Sequence, residues 1–175
     1  RRDGRLVPAS WDDALNVVAS KLKELSGDSI AAIAGDLCDA ESMYALKCLM
    51  QSLNVTNIDC RQDGARLDAG NRGSYLFNSK IAGIEDADAI LLIGTNPRWE
   101  APVLNARIRK RWLETRLPIA SIGPDFDLTY EKMNLGDSPS VLNEVLAGGH
   151  PFSETLAGAE SPMLILGMGA LARTD

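Results

Sequence analysis

The chain has 175 residues, 45% of them hydrophobic and 24% charged, with a formal net charge of -6. That balance supports one buried core, or one and part of another, and it argues against a nucleic-acid surface, which calls for clustered cations. No apolar run approaches the length of a membrane span, so direct membrane insertion is not expected.

Arg1 to Ala9 is largely polar, with a turn at Asp3-Gly4. Ser10 is placed to cap a helix, and Asp13 stands where the acid of a capping box would stand. Ala14, Leu15, Val18, Leu22 and Leu25 carry that helix to about Leu25, and Gly27 stops it. Ile30 to Ala34 reads as a short buried strand. A second helix is expected from about Asp39 to Leu53, with Met43, Leu46, Leu49, Met50 and Leu53 as its stripe. Val55 to Cys60 reads as another strand, weakened by Asn57. Arg61 to Ser74 is the longest polar stretch, with Gly64, Gly70 and Gly73 and no period, the pattern of a functional or disordered loop.

Lys80 to Ala87 looks like a short helical connection into the plainest strand of the chain, Ala89 to Ile93. That run is apolar on both faces, as a strand of a covered parallel sheet must be. Gly94 ends it, and Thr95-Asn96-Pro97 turns out of it. A helix then runs from Pro102 to about Thr115, with Leu104, Ile108 and Trp112 facing the sheet and Arg109 and Lys110 facing outward. Pro118 to Ile122 is a strand, and Leu128 to Leu135 reads as a short one. Ser138 to Ala147 is a helix, Pro151 to Ala159 a weaker one, and Met163 to Leu166 a last strand. The alternation predicts an α/β fold: a mostly parallel, doubly wound sheet with helices on both faces.

Open α/β sheets place ligands beyond the carboxyl ends of their strands, which makes Gly94, Thr95 and Asn96 the candidate site. Their backbone N–H groups suit a phosphate, and the same turn serves equally as the plain start of a helix. Gly167-Met-Gly-Ala-Leu-Ala172 matches the G-x-G-x-x-A dinucleotide turn after a strand, although a plain strand-to-helix turn is the favoured reading. Cys38, Cys48 and Cys60 are too dispersed for a disulfide framework or a cluster site, and are expected as buried free thiols. His150 is the only histidine, so no Ser-His device is expected. Arg98, Arg107, Arg109, Lys110, Arg111 and Arg116 form either a solvated helix face or a surface for an anionic partner. Composition and spacing stop there, with no visible catalytic set.

Longer motifs go further. Ser10-Trp-Asp-Asp-Ala-Leu15 resembles an element of the molybdopterin oxidoreductase superfamily. Ile81-Ala-Gly-Ile-Glu-Asp-Ala-Asp88, Leu91-Leu-Ile-Gly-Thr-Asn-Pro-Arg98 and Glu100-Ala-Pro-Val-Leu-Asn-Ala-Arg-Ile-Arg-Lys110 are similar to the large iron–sulfur subunits of respiratory complex I, the NADH:quinone oxidoreductase. Asp127-Leu-Thr-Tyr130, Leu135-Gly-Asp-Ser-Pro139 and His150-Pro-Phe152 fit the same family. The resemblance implies a molybdopterin oxidoreductase-like fold and a stretch of a larger subunit, incomplete at both ends, as Arg rather than Met at position 1 also suggests.

It implies further that the iron–sulfur clusters lie in cysteine-rich segments elsewhere in the parent subunit, so no cofactor is expected in residues 1–175. In catalytic members a Cys, selenocysteine or Ser that ligates molybdenum follows the strand that here ends at Cys60. The corresponding Arg61-Gln-Asp-Gly-Ala-Arg66 has neither thiol nor hydroxyl, and Cys60 falls too early to align. The expected role is therefore a scaffold without independent activity, among other subunits of the peripheral arm. Its expected location is the cytoplasmic face of a bacterial inner membrane, or the matrix side in mitochondria. A retained pterin or nucleotide site near Gly94 to Arg98 is the alternative. Arg107, Arg109 and Arg111, concentrated on one helix of an acidic chain, are the candidate assembly contact.

Overall fold

The computed structural model describes residues 4–35, 37–60, 64–68 and 70–175. They fall into two compact units, residues 1–62 and 63–175, each built on its own parallel sheet. The expected parallel α/β organisation is present, distributed over two sheets rather than one.

In the smaller unit, α1 (Trp11–Glu24) starts where Ser10 Oγ accepts the Asp13 N–H at 3.1 Å. Two short strands follow the parallel order, β1 (Ala31–Ile33) beside β2 (Asn57–Asp59), with α2 (Ala40–Ser52) between them in sequence. Asp39 caps α2 by accepting the Ser42 N–H at 2.7 Å and the Ser42 hydroxyl at 2.9 Å, and these bonds hold its carboxyl below its usual range. Asn57, the residue that weakened β2 in the sequence, donates its side-chain amide to Ile30 O at 3.2 Å. Ile30, Met50 and Val55 form the buried core, with Leu22, Ala32, Leu46 and Leu53 packed against them. A two-stranded sheet offers little area to cover, and α1 has no buried residue: Leu15 and Val18 of its stripe are exposed, and so is Trp11 at its start. The cysteines correct the expectation of buried thiols. Cys38 lies before α2, Cys48 on its outer side and Cys60 past the end of β2, and all three are free and exposed.

The larger unit is organised on β3 (Ala89–Ile93), in which all five residues are buried. On one side it pairs with β4 (Ile119–Ile122), which pairs with β5 (Met133–Gly136). On the other side it pairs with β6 (Pro162–Leu166). Every pairing is parallel, and the order is β5-β4-β3-β6. The run apolar on both faces is thus the central strand, flanked on both edges and covered on both faces.

On one face lies α4 (Pro102–Thr115), with Ile108 fully buried among Ile84, Ile90, Leu92, Ile119 and Leu128. Leu104 and Trp112 pack against the same cluster, and Arg109 and Lys110 are exposed, as the stripe required. On the other face Leu91, Ile93, Ala120 and Ile122 meet Val141 of α5 (Ser140–Leu146) and Phe152 of α6 (Pro151–Gly158). His150 caps α6, its Nδ1 accepting the Phe152 N–H at 3.2 Å.

Two local features depart from the sequence reading. A separate short helix, α3 (Pro97–Glu100), precedes α4, because Pro102 disfavours helical geometry at Ala101, which sits at φ -147° and ψ 68°. The strand expected over Leu128 to Leu135 begins only at Met133. Asp127 first forms a tight turn by accepting the Thr129 N–H at 2.8 Å, with Thr129 at φ 70°. Beyond β6, Met168–Leu171 forms the four-residue helix α7, the plain strand-to-helix turn that the sequence favoured.

Two polar devices hold the layers. Asn105, 5% exposed on α4, donates to Leu128 O at 3.2 Å and accepts the Tyr130 hydroxyl at 2.7 Å. Burial pushes the Tyr130 hydroxyl above its usual pKa, so it remains a donor. Asp88, just before β3, accepts the N–H groups of Glu160 at 2.7 Å and Ser161 at 3.0 Å just before β6, and so aligns the two strands.

Ile108→Ala should lower the stability of the larger unit by about 2–5 kcal/mol, the cost of a core cavity, as read by chemical denaturation. Unchanged stability would show that α4 does not pack on Ile108. The Asp88 bonds to Glu160 and Ser161 hold its carboxyl below its ordinary value. Its contribution is therefore complete above the unfolded-state value and is lost as pH falls through the folded-state one. Asp88→Asn should flatten the acid side of the stability–pH profile below about pH 4. A profile that stays as steep as in the parent would assign acid sensitivity to other carboxylates.

Candidate functional site

The carboxyl ends of β3 and β6 diverge into two glycine turns that touch backbone to backbone. Gly94 O accepts the Gly169 N–H at 2.9 Å, and Gly167 N–H donates to Ile93 O at 2.9 Å. A Cβ added at Gly94, which sits at φ +60°, would lie 2.3 Å from Ala170 N. One added at Gly167 would lie 2.3 Å from Thr95 Cβ. The glycines of the G-x-G-x-x-A match are thus explained by contact with the Gly94 turn, and no pyrophosphate is needed to account for them.

Beside this clasp, toward the carboxyl end of β4, is a cavity of about 390 Å³. Ile93, Ile122, Phe126 and Leu142 form its apolar walls, and Gly94, Thr95 and Asn96 all line it, so the three candidate residues are brought together. Glu100, Asp137, Arg173 and Asp175 supply its charges. Arg173 is tied to Asp175 by two bonds of 2.7 Å, which raise the pKa of the first and lower that of the second. Its charge is therefore already matched, and Glu100 and Asp137 leave the lining acidic. A more open hollow of about 590 Å³ lies at the amino end of β4, where the Arg116 guanidinium sits 3.9 Å over the Trp112 ring.

The cavity suits a phosphate poorly. Gly94 N–H already donates to Ile122 O at 2.9 Å, and Asn96 N–H donates to the Glu100 carboxylate at 2.5 Å. An anion of the chain itself stands where an anionic ligand would stand. Glu100 escaped the sequence reading: it stands four residues after Asn96, and nothing in the sequence marks an acid there as the partner of a backbone N–H. One feature points the other way: Asn96 Oδ1 is buried without a hydrogen-bond partner and would accept from a ligand N–H.

The basic residues lie apart from the cavity. Arg107 pairs with Glu85 at 3.4 Å, Arg109 Nε donates to Thr129 O at 3.3 Å, and Arg111 Nε donates to Ala87 O at 3.1 Å. Arg98 donates to both the carbonyl and the carboxylate of Asp127, at 3.0 and 2.8 Å. These contacts fasten α3 and α4 to the segments around them. Residues 61–63 of the Arg61 to Arg66 loop lie outside the described residues; Arg66 N–H donates to Leu171 O at 2.9 Å. Among the described residues no group of three or more His, Cys, Asp or Glu is placed to hold a metal ion. No described helix is long and apolar enough to cross a membrane.

Parallel strands alternating with helices, with glycine turns at the carboxyl ends of two strands, define a protein of the parallel α/β class. The chain belongs to the molybdopterin oxidoreductase family, whose model matches residues 1–175. It is 44% identical over 175 residues to a subunit of the NADH-quinone oxidoreductase of Rickettsia felis, and 45% identical to the same subunit of Rickettsia conorii. It is 42% identical over 173 residues to the mitochondrial NADH dehydrogenase (ubiquinone) iron–sulfur protein 1 of Solanum tuberosum. The matches cover 100% of this chain and 26% of each Rickettsia protein, and 99% of this chain and 23% of the potato protein. The chain thus spans about a quarter of the length of these relatives.

Gly94→Ala and Gly167→Ala should each lower the thermodynamic stability of the larger unit by more than about 2 kcal/mol, since a Cβ at either must displace the opposing turn. Gly158→Ala, whose Cβ would meet open space, should change it little. Equal effects at the three positions would show that the turns do not depend on their contact.

Proposed function

We propose that residues 1–175 form a non-catalytic scaffold region of the large iron–sulfur subunit of an NADH:quinone oxidoreductase, which passes electrons from NADH to quinone. On this reading they are part of the molybdopterin oxidoreductase-like region of a larger subunit, and the clusters are held outside it. Its neighbours are other subunits of the peripheral arm, on the cytoplasmic or matrix side of the membrane. The single observation that carries the reading is the Glu100 carboxylate on Asn96 N–H. It fills the turn where a pterin or nucleotide phosphate would be received. An internal carboxylate on that donor argues against a phosphate-bearing group in the turn.

The second reading, a retained pterin or nucleotide, is favoured by the buried, unpartnered Asn96 Oδ1 in a cavity large enough for a heterocycle. Arg107, Arg109 and Arg111 are proposed as an assembly contact in addition to their internal bonds, through donors on the outer side of α4. Arg109 is the cleanest probe, because it is exposed and its internal bond is long.

Acid extracts of the assembled complex should contain neither molybdenum nor oxidised pterin. Asn96→Ala should leave NADH-to-quinone turnover per assembled complex unchanged. Stoichiometric pterin or nucleotide that disappears in Asn96→Ala would establish the second reading instead. Arg109→Glu should reduce the yield of assembled complex without lowering the thermal midpoint of this region. Normal yield would return the cluster to an intramolecular role.

A further inference from the structure

The two faces of the larger sheet are unequally covered. On β6, Met163 and Ile165 are buried on the α4 face, whereas Leu164 and Leu166 on the opposite face are each 57% exposed. Their neighbours on that face, Leu91 and Ile93 on β3, are buried in the cluster built with α5 and α6. The helical layer thus covers β3 and β4 and stops short of β6. A parallel sheet is stable when both faces are covered, and two adjacent leucines on an edge strand are where that cover is missing.

Handedness says what belongs there. The connection from β3 to β4 runs over one face through α4, and the return from β5 to β6, in the opposite direction, runs over the other through α5 and α6. Right-handed crossovers require this exchange of faces. A further connection outward past β6 would stay on the α5–α6 face, over Leu164 and Leu166. α7 turns toward that face as soon as β6 ends, and Ala170 packs against its cluster.

We propose that Leu164 and Leu166 are the seat of an amphipathic helix of the same polypeptide, drawn from the length that the relatives have outside residues 1–175. The chain spans only 26% of the Rickettsia subunits, which leaves ample polypeptide for such a helix. The seat asks for an apolar stripe two leucines wide, without charge at its centre.

A photoreactive benzophenone side chain placed at Leu164, and separately at Leu166, in the full-length subunit of the assembled complex tests this. After irradiation, the crosslinked peptide should come from the same polypeptide, outside residues 1–175, in a segment with apolar residues at helical spacing. A crosslink to residues 4–62, a crosslink to another subunit, or no crosslink at either position would each overturn the proposal. Leu166→Cys is a smaller probe that tolerates burial. Iodoacetamide should label it about tenfold more slowly than Leu146→Cys, at an exposed site on α5, in the complex and in the full-length subunit freed of its partners. Fast labelling in the freed subunit would also overturn it.

Discussion

The larger unit depends on the contact between the Gly94 turn and the Gly167–Gly169 turn. β3 is buried on both faces, so its chain must leave the sheet through a narrow exit at its carboxyl end, beside the exit of β6. Two backbones can lie that close only where side chains are absent, and each then supplies the other with a hydrogen-bond partner. The contact seals the place between diverging strands where sheets of this kind usually open. What remains open is displaced toward β4, and the chain's own carboxylate occupies its best donor.

The same economy governs the charges. An acidic chain with a basic helix would be expected to offer that helix to something else, yet four arginines of α3 and α4 are bonded to carbonyls or carboxylates of neighbouring segments. Lys132 goes further. Its side chain is 6% exposed, with Nζ 2.6 Å from Asp125 and 3.1 Å from Ser121 on β4. A buried ammonium is tolerable only when paired and hydrogen-bonded, and this pairing fastens the loop after β4 onto the sheet. A framework whose polar groups are bound to one another is rigid and offers few of them to a reacting molecule.

Much of this was legible beforehand because it depends on short-range pattern. The five apolar residues of β3 and the Leu104, Ile108 and Trp112 stripe announce themselves by period alone, and each found the expected environment. The proline that splits α3 from α4 was also visible, but its effect on the preceding residue competes with a helical pattern on both sides. Glu100 could not be singled out, because its partner is a backbone N–H whose orientation exists only once the turn has formed. The cysteines misled for another reason. Their general preference for burial gives way where a two-stranded sheet supplies too little interior to receive them. The division into two sheets rests on which strands pair, β1 with β2 alone and β3 to β6 among themselves, and no local period encodes that.

The placement of cysteine and tryptophan has a practical consequence. All three cysteines lie in the first unit, and none lies between residues 63 and 175, whereas two of the three tryptophans, Trp99 and Trp112, lie in the second. Alkylation chemistry therefore samples the smaller sheet and its helices alone, and the fluorescence of Trp112, stacked under Arg116 against the core of the larger sheet, samples that sheet. Labelling of the exposed thiols thus marks the surface of the smaller unit, while Trp112, the one tryptophan packed against a core, reports on the larger one against the background of the exposed Trp11 and Trp99.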